Sequence, residues 1–330
     1  MISPSTPAAF TPVEPPYPYH RMLRAVPEYR WWRPLLAILL AGVFLVIASL
    51  LVVILGVVLA TVFHQIDWTS VEGFTSGIQA IAVLDAANPV RLFAGIGSVA
   101  VWVPAILLGV RAAGIRPSGV LHSVQLRLRF RWLASCLIPA AIVMAVNLAL
   151  TLWAEPLITR VGPQAPTTAL PLYLGCALLI LVLVPFQAAA EEYFFRGLLA
   201  QAIGSWVRFA PLAIVVPTLL FVSGHFYDIW GLLDVAIFGV AAGWLAWRTG
   251  GLESGIALHA MTNVSLFLLL ASGALGSTVN GDAAGSPLDA AVTLVLTAGY
   301  ALWVDRQARR RGIARLGTGI AVPATELHSS

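Results

Sequence analysis

The chain contains no lysine, only two cysteines and few charged residues of any kind. Charged side chains make up 10% of its 330 residues, against about 25% in soluble globular domains, so charge cannot cover its surface in water. The absence of lysine excludes a phosphate-loop lysine, a Schiff-base lysine and a Ser–Lys dyad. Cys136 and Cys176 lie in apolar runs, which indicates small buried side chains rather than a disulfide or a metal pair. The net charge of +4 is too small to indicate a nucleic-acid-binding surface.

Apolar residues are abundant instead: they form 59% of the chain, and the mean hydropathy is +0.88. A membrane span needs about 20 predominantly apolar residues, and its backbone must bond internally, which predicts a helix for each apolar run. The fifth and sixth runs are short and nearly contiguous. The sequence therefore predicts an all-α, polytopic membrane protein with about eight transmembrane helices. The eight runs are Leu35–Phe63, Leu92–Val110, Trp132–Trp153, Leu170–Ala190, Pro211–Phe226, Gly231–Trp247, Gly255–Leu275 and Pro287–Val304.

Arginine supplies every basic side chain other than histidine, and its placement predicts the topology. Arginines precede the first apolar run and follow the second, fourth, sixth and eighth, whereas the intervening connections carry Arg91 and Arg160 alone. Because positive residues concentrate on the cytoplasmic side, we expect a multi-pass protein of the cell membrane with both termini in the cytoplasm. The run Arg127–Arg131 is expected to face anionic lipid.

One membrane domain accounts for the organisation of the chain. Residues 1–33 are rich in proline and are predicted to be a flexible cytoplasmic arm; residues 34–305 form the transmembrane domain, and residues 306–330 a flexible basic cytoplasmic tail. The arm lacks the apolar core of a signal peptide, so the first span is expected to be retained. The segment Thr278–Ser286 is predicted to be a loop. No internal repeat of fixed period is found, which disfavours a repeat-built transporter.

Ionisable residues next to apolar runs are the first functional candidates, and the segment Glu191–Gly197 directly continues the fourth run. On a helix Glu192 and Arg196 are four residues apart, which is a favourable spacing for an ion pair, so Glu192 is predicted to be structural. Glu191 lies about 100° around the helix, with Phe195 as its neighbour one turn on. That leaves Glu191 free to act as a general base. The alternative is a group of charges snorkelling to the membrane interface.

Two further motifs carry histidines. Phe221-Val222-Ser223-Gly224-His225 closes the fifth run, and His259-Ala260-Met261-Thr262-Asn263 lies about one turn into the seventh. A carboxylate and an imidazole can polarise water, which suits Glu191 with His225, while His259 and Asn263 can steady an oxyanion. Alternatively, His225 is interfacial, and His259 with Asn263, which share a helix face, join helices by polar contacts.

The three segments follow the patterns EExxxR (Glu191–Arg196), FxxxH (Phe221–His225) and HxxxN (His259–Asn263) in this order along the chain. This succession resembles the CPBP family of intramembrane peptidases, which includes the CAAX prenyl endopeptidases. The resemblance covers residues 170–270. It implies a helical fold with a polar cavity open within the membrane and cleavage of a peptide or protein substrate. It also implies that Glu191 activates water with His225, and that His259 and Asn263 hold the oxyanion.

The resemblance does not decide whether a metal ion takes part in the reaction, because the family is often labelled as metalloprotease. Glu191, His225 and His259 could bind zinc with water in the open position. Since no HExxH pair is present and a glutamate with a histidine can activate water unaided, no obligatory cofactor is expected. Other intramembrane protease classes are excluded. Asp228 follows Tyr227, but the GxGD motif of aspartyl proteases is missing, as is the GxSG motif of rhomboids.

Three interpretations remain open from the sequence. A peptidase predicts that Glu191, His225 and His259 converge on one water-accessible cavity. A non-catalytic protein that binds a peptide, lipid or partner, as in peptide immunity, tolerates their separation, and a transporter needs a pathway to both faces. The depth of His225 in the membrane distinguishes these interpretations. His225 ends the fifth run, which is expected to lead away from the cytoplasm, whereas Glu191 and His259 are expected to lie toward the cytoplasm. Pro211 and Pro217 can shorten or kink that helix.

Overall fold

The computed structural model describes residues 16–27, 29–154, 165–274 and 285–318, and these are almost entirely helical. The apolar runs fold as helices because the backbone groups of each run are satisfied within the run itself. The α-helices are α1 (Arg33–Val62), α2 (Val71–Ala82), α3 (Pro89–Ala100), α4 (Trp102–Ala112), α5 (Phe130–Ala149), α6 (Leu170–Glu192), α7 (Ala200–Trp206), α8 (Ala210–Ser223), α9 (Ile229–Thr249), α10 (Glu253–Ala271) and α11 (Pro287–Arg310).

Seven helical stretches in the described residues are long and apolar enough to cross a membrane. The exposed face of α1 is typical of them, because Leu39 and Leu51 are 64% and 63% exposed and only lipid can cover such a surface. The prediction of an all-α polytopic membrane protein is confirmed. The seven stretches are Arg33–Val62, Pro89–Ala112, Phe130–Trp153, Leu170–Trp206, Ile229–Thr249, Glu253–Ala271 and Pro287–Arg310.

The fifth apolar run forms a shorter helix than the spans listed above. The helix α8 has 14 residues, which at 1.5 Å per residue makes it about 21 Å long. That is less than the hydrocarbon thickness of about 30 Å, so this helix alone does not cross the bilayer. Pro211 lies in its first turn and Pro217 in its interior. His225 follows this short helix directly, two residues after it ends at Ser223.

The helices that carry the predicted motifs pack against one another at the centre of the bundle. Helix α10 contacts both α6 and α5, α9 contacts α8, α10 and α11, and α6 also packs against α3. Helix α1 lies to one side, against α3 and α4. The ends of α6 and α8 and the first half of α10 therefore surround one region.

The chain termini differ from the predicted flexible arm and tail. Strand β1 (Tyr17–Pro18) pairs antiparallel with strand β2 (Leu316–Gly317), and a 3₁₀ helix follows at Tyr19–Ala25. The side chains of Met22 and Leu23 are fully buried in the main hydrophobic cluster. Buried apolar side chains pack these segments against the helices. The rest of the predicted arm and tail, residues 1–15 and 319–330, lies outside the described residues.

The connection between α4 and α5 also differs from its prediction. Arg129 is not directed to lipid, because its guanidinium binds the carboxylate of Glu253 through Nε at 2.8 Å and Nη2 at 2.7 Å. Its Nη1 donates to the carbonyl oxygens of Thr249 and Ala314. This one side chain therefore joins the start of α5 to the turn between α9 and α10 and to the C-terminal segment. The neighbouring Arg127 and Arg131 remain exposed.

Candidate functional site

The paired glutamates lie where α6 changes its helical geometry. Glu191 and Glu192 are the last residues of α6, and the chain continues as a π-helical segment, Tyr193–Leu199, before α7 begins. A π-helical turn widens the backbone and is found frequently at functional sites. Tyr193 is buried and its hydroxyl contacts Nδ1 of His122 in the α4–α5 connection. The glutamate pair is thus fixed by packing on both sides.

The ion pair expected from the spacing of Glu192 and Arg196 is present. Nη1 of Arg196 donates to Oε1 of Glu192 at 3.0 Å, and both side chains are fully buried. The guanidinium of Arg196 also lies over the rings of Phe221 at 4.4 Å and Phe238 at 5.4 Å from the centroids. Aromatic faces stabilise a desolvated cation. Arg196 therefore links α6 to α8 and α9.

His259 lies between the two glutamates. Its Nδ1 is 3.1 Å from Oε1 of Glu192, and its Nε2 is 3.3 Å from Oε2 of Glu191. Carboxylates only accept hydrogen bonds, so both ring nitrogens can donate only in the imidazolium form. In that form of the ring, and with Arg196, the charges of the two carboxylates are balanced by two cations.

His225 does not contact Glu191 in the described part of the chain. Its Nδ1 lies 2.8 Å from the carbonyl oxygen of Phe221, which can only accept, so Nδ1 carries a hydrogen and Nε2 faces away from this contact. The ring of Phe221 contacts both imidazoles, with centroids 4.7 Å from His225 and 6.0 Å from His259. His225 is therefore next to the cluster, separated from it by one aromatic ring.

Asn263 lies one turn beyond His259 and has a partner that the sequence interpretation missed. Its Nδ2 donates to Oε1 of Gln187 at 3.0 Å. Gln187 is buried in α6, one turn before Glu191 and on the same helix face. The signal was present in the sequence, as a lone amide in an otherwise apolar run four residues before the first glutamate.

The structure thus brings together Glu191, Glu192, Arg196 and His259. The candidate zinc ligands are not gathered in the same way, since no group of three histidine, cysteine, aspartate or glutamate side chains in the described ranges could hold a metal ion. Asp228 has a structural role, because its carboxylate accepts the backbone hydrogen bond of Gly231 at 2.8 Å and caps α9.

Gly255 makes room for the buried carboxylate. A Cβ atom at this position would lie 2.8 Å from Oε2 of Glu192, closer than van der Waals contact allows. That oxygen is buried and has no hydrogen-bond partner in the described residues, although Oε1 of the same group is held by both Arg196 and His259. The carboxylate cannot move away without losing those bonds.

We expect Gly255→Ala to lower the free energy of unfolding by about 1–3 kcal/mol, the usual cost of overpacking. The measurement is the unfolding midpoint of the purified protein in one detergent. Gly175→Ala is the matched control, since Gly175 is exposed in α6 and a Cβ there would meet no atom within 4 Å. The control should gain about 0.5–1 kcal/mol from helix propensity. Equal midpoints for the two variants would contradict the close approach.

Comparison with known proteins gives a family for the segment that holds these residues. Residues 172–265 match the family model described as type II CAAX prenyl endopeptidase Rce1-like. The uncharacterized protein YyaK of Bacillus subtilis (strain 168) is 29% identical over 148 residues, which cover 40% of this chain and 49% of that relative. The match thus spans about half the length of this relative. No solved structure matches the chain. The resemblance inferred from the three motifs is confirmed over residues 172–265, which are similar to the Rce1-like type II CAAX prenyl endopeptidases.

Proposed function

We propose that this protein is an intramembrane endopeptidase that hydrolyses a peptide bond in a membrane-associated peptide or protein. One observation carries the proposal: Glu191, Glu192, Arg196 and His259 form one buried cluster, within the segment that matches a peptidase family. A buried group of four charges is costly to maintain in a membrane protein, and such groups mark functional sites.

Glu191 is the residue that accepts a proton from water. Its side chain is 16% exposed, whereas that of Glu192 is 1% exposed, so we assign the reaction with water to the first carboxylate. Only Oε2 of Glu191 faces His259. Oε1 therefore remains to take the proton as the water oxygen attacks the substrate carbonyl carbon. The same proton then passes to the leaving nitrogen as the carbon–nitrogen bond breaks.

His259 and Asn263 stabilise the oxyanion that this attack creates. The Glu192–Arg196 pair holds Nδ1 of His259, so the hydrogen on Nε2 points toward Glu191. Once Glu191 has taken the water proton, its carboxyl group is neutral and no longer attracts that hydrogen. The developing oxyanion then takes its place, with an N–H of Asn263 as second donor.

His225 assists through its unprotonated nitrogen. Because Nδ1 donates to the carbonyl of Phe221, Nε2 is directed away from its own helix backbone and can accept a hydrogen bond from the attacking water. The aromatic rings between His225 and His259 exclude bulk water from the space they share. None of these steps requires a metal ion, and we propose none as an obligatory cofactor.

We assign this activity to the cell membrane, with both termini cytoplasmic, on the alternation of Arg-rich and Arg-poor connections. The partners are then membrane lipid and a peptide or protein substrate reached within or beside the bilayer. The start of α10 lies on the cytoplasmic side in this arrangement. His259, about 9 Å further along the helix, is below that surface.

Gln187 orients Asn263, so we expect Gln187→Met to lower kcat by about tenfold with KM unchanged. The substitution keeps the volume but removes the acceptor that fixes the amide, a loss of about one hydrogen bond. The measurement is the rate of cleavage at saturating substrate. Gln125→Met, at an exposed position between α4 and α5, should leave both constants unchanged. A change in KM alone would instead assign Gln187 to substrate binding.

The experiment that tests the proposal is cleavage of a library of membrane-presented peptides by the purified protein in liposomes. Wild type and Glu191→Gln are compared, each with and without a chelator. Products that appear with wild type and disappear with the variant support the peptidase. No product from wild type under any condition favours a protein that binds a peptide or lipid without cleaving it, and loss of product with chelator supports a metal-dependent mechanism.

A further inference from the structure

A second polar feature lies at the C-terminal end of α11, remote in sequence from the peptidase motifs. A groove of about 530 Å³ runs along this helix end, and among its lining residues are Gly299, Trp303, Arg306 and Arg310. These four positions recur every three or four residues and so form one stripe on the helix. Gly299 leaves open space at the head of the stripe, because a Cβ there would meet no atom within 4 Å.

The groove lies at the boundary between hydrocarbon and water. Helix α11 spans the membrane from Pro287, and its apolar sequence ends at Trp303 and Val304, just before the arginines begin. The indole of Trp303 is 44% exposed at this boundary, where tryptophan is enriched because its ring is apolar and its N–H is polar. The stripe therefore passes from the acyl-chain region to the headgroup region.

The cations of the groove have no counter-charge of their own. In the described ranges no carboxylate lies within ion-pair distance of Arg306, Arg310 or Arg311. Arg309, on another face of the same turn, does form an ion pair, because its Nη2 lies 2.8 Å from the carboxylate of Asp305. The acidic residue of this helix end is thus already shared by other arginines, and the groove keeps its positive charge.

Helix α5 extends the positive surface. Nη1 of Arg311 donates to the hydroxyl of Ser135, which fixes the end of α11 against the first turns of α5. Arg131, one turn before Ser135 on the same face, is also exposed. Arg311 lines the groove and Arg131 lies on the adjoining helix. The guanidinium group is well suited to bind phosphate oxygens in pairs.

We propose that this groove binds the phosphate of an anionic phospholipid, with Arg306 and Arg310 as the principal ligands and Trp303 against the start of the acyl chains. A lipid fits better than a free phosphate ion, because the stripe continues from the arginines to Trp303 and the open space at Gly299. The bound lipid neutralises the end of α11 and holds it against α5. This proposal does not depend on the peptidase activity.

The test is native mass spectrometry of the full-length protein with phosphatidylglycerol and with phosphatidylcholine. Wild type should retain phosphatidylglycerol preferentially, and Arg306→Gln/Arg310→Gln should weaken that binding at least about tenfold, since each arginine near an anionic surface contributes measurably. The control is Arg111→Gln/Arg116→Gln, which removes one exposed arginine from the last turn of α4 and one from the α4–α5 connection and should leave the binding unchanged.

Three results would overturn the proposal. Equal retention of the two lipids by wild type means that the groove does not recognise an anionic headgroup. Equal loss in the two double variants means that only overall charge matters. Complete displacement of phosphatidylglycerol by millimolar inorganic phosphate means that the groove is a site for the free ion. Unchanged unfolding midpoints in both variants ensure that a loss of binding is not a loss of fold.

Discussion

Replacing Glu191 by glutamine is expected to reduce peptide cleavage by about 10²–10⁴-fold, the contribution of a positioned general base, while the protein stays folded. Glutamine keeps the shape of the side chain and can still accept a hydrogen bond from His259, but it cannot take a proton from water. Glu191 is partly exposed, and His259 keeps its contact with Glu192, so we expect the variant to stay folded. The measurement is kcat on any peptide that the wild-type protein cuts.

Glu192→Gln is the matched comparison, because it makes the same chemical change one residue further along. Glu192 is fully buried and balances both Arg196 and His259. Removing that charge should lower the free energy of unfolding by several kcal/mol, since a buried guanidinium loses its counter-charge. The two variants therefore separate a catalytic from a structural role: the first loses rate at full stability, and the second loses stability. Cleavage that survives Glu191→Gln would remove Glu191 as the base.

The fold could be predicted from the sequence because lipid leaves few choices for an apolar chain. Each run of sufficient length must form a helix, and hydropathy alone located every long span. The exception is the short helix α8, because its apolar run does not show at which residue the helix ends. Its apolar stretch includes residues beyond Ser223 that are not helical, and only the structure shows where hydrogen bonding ends.

The packing of residues 17–26 could not be predicted from composition. Proline and polar residues dominate the first 33 positions, so composition indicated disorder. Tyr19, Met22 and Leu23 lie between prolines, a histidine and arginines, yet they are fully buried. Their stability comes from partners far along the chain, for instance the carbonyl oxygen of Leu121, which accepts from the hydroxyl of Tyr19 at 2.5 Å. Such contacts leave no periodic signal in a short segment.

At the candidate site, contacts within one helix were predictable and contacts between helices were not. The Glu192–Arg196 pair follows from a spacing of one turn. The position of His259 between two carboxylates requires α10 to pack on α6 in one register, which no local pattern specifies. For the same reason the sequence paired Glu191 with His225, whereas the nearest imidazole is that of His259. The sequence thus identified Glu191, His225 and His259 as candidates but not which of these side chains are in contact.

Arg129→Met is expected to cause one of the largest losses of stability, about 3–5 kcal/mol, although it lies outside the candidate site. Arg129 and Glu253 are both buried, and the two side chains meet through paired bonds of 2.8 and 2.7 Å. Without the guanidinium, the carboxylate of Glu253 stays buried with no cation to balance it. The carbonyl oxygens of Thr249 and Ala314 also lose a donor. The measurement is the unfolding midpoint in one detergent.

Arg91→Met is the matched control, since Arg91 forms an ion pair with Asp85 at 3.1 Å on the surface of the protein. Water screens that pair, so its loss should cost at most about 1 kcal/mol. Arg129→Met combined with Glu253→Leu should recover part of the stability, because no unpaired charge then remains buried. If Arg129→Met costs no more than Arg91→Met, then the pair does not hold α5 to the start of α10. The geometry of His259, six residues further along that helix, would then need another support.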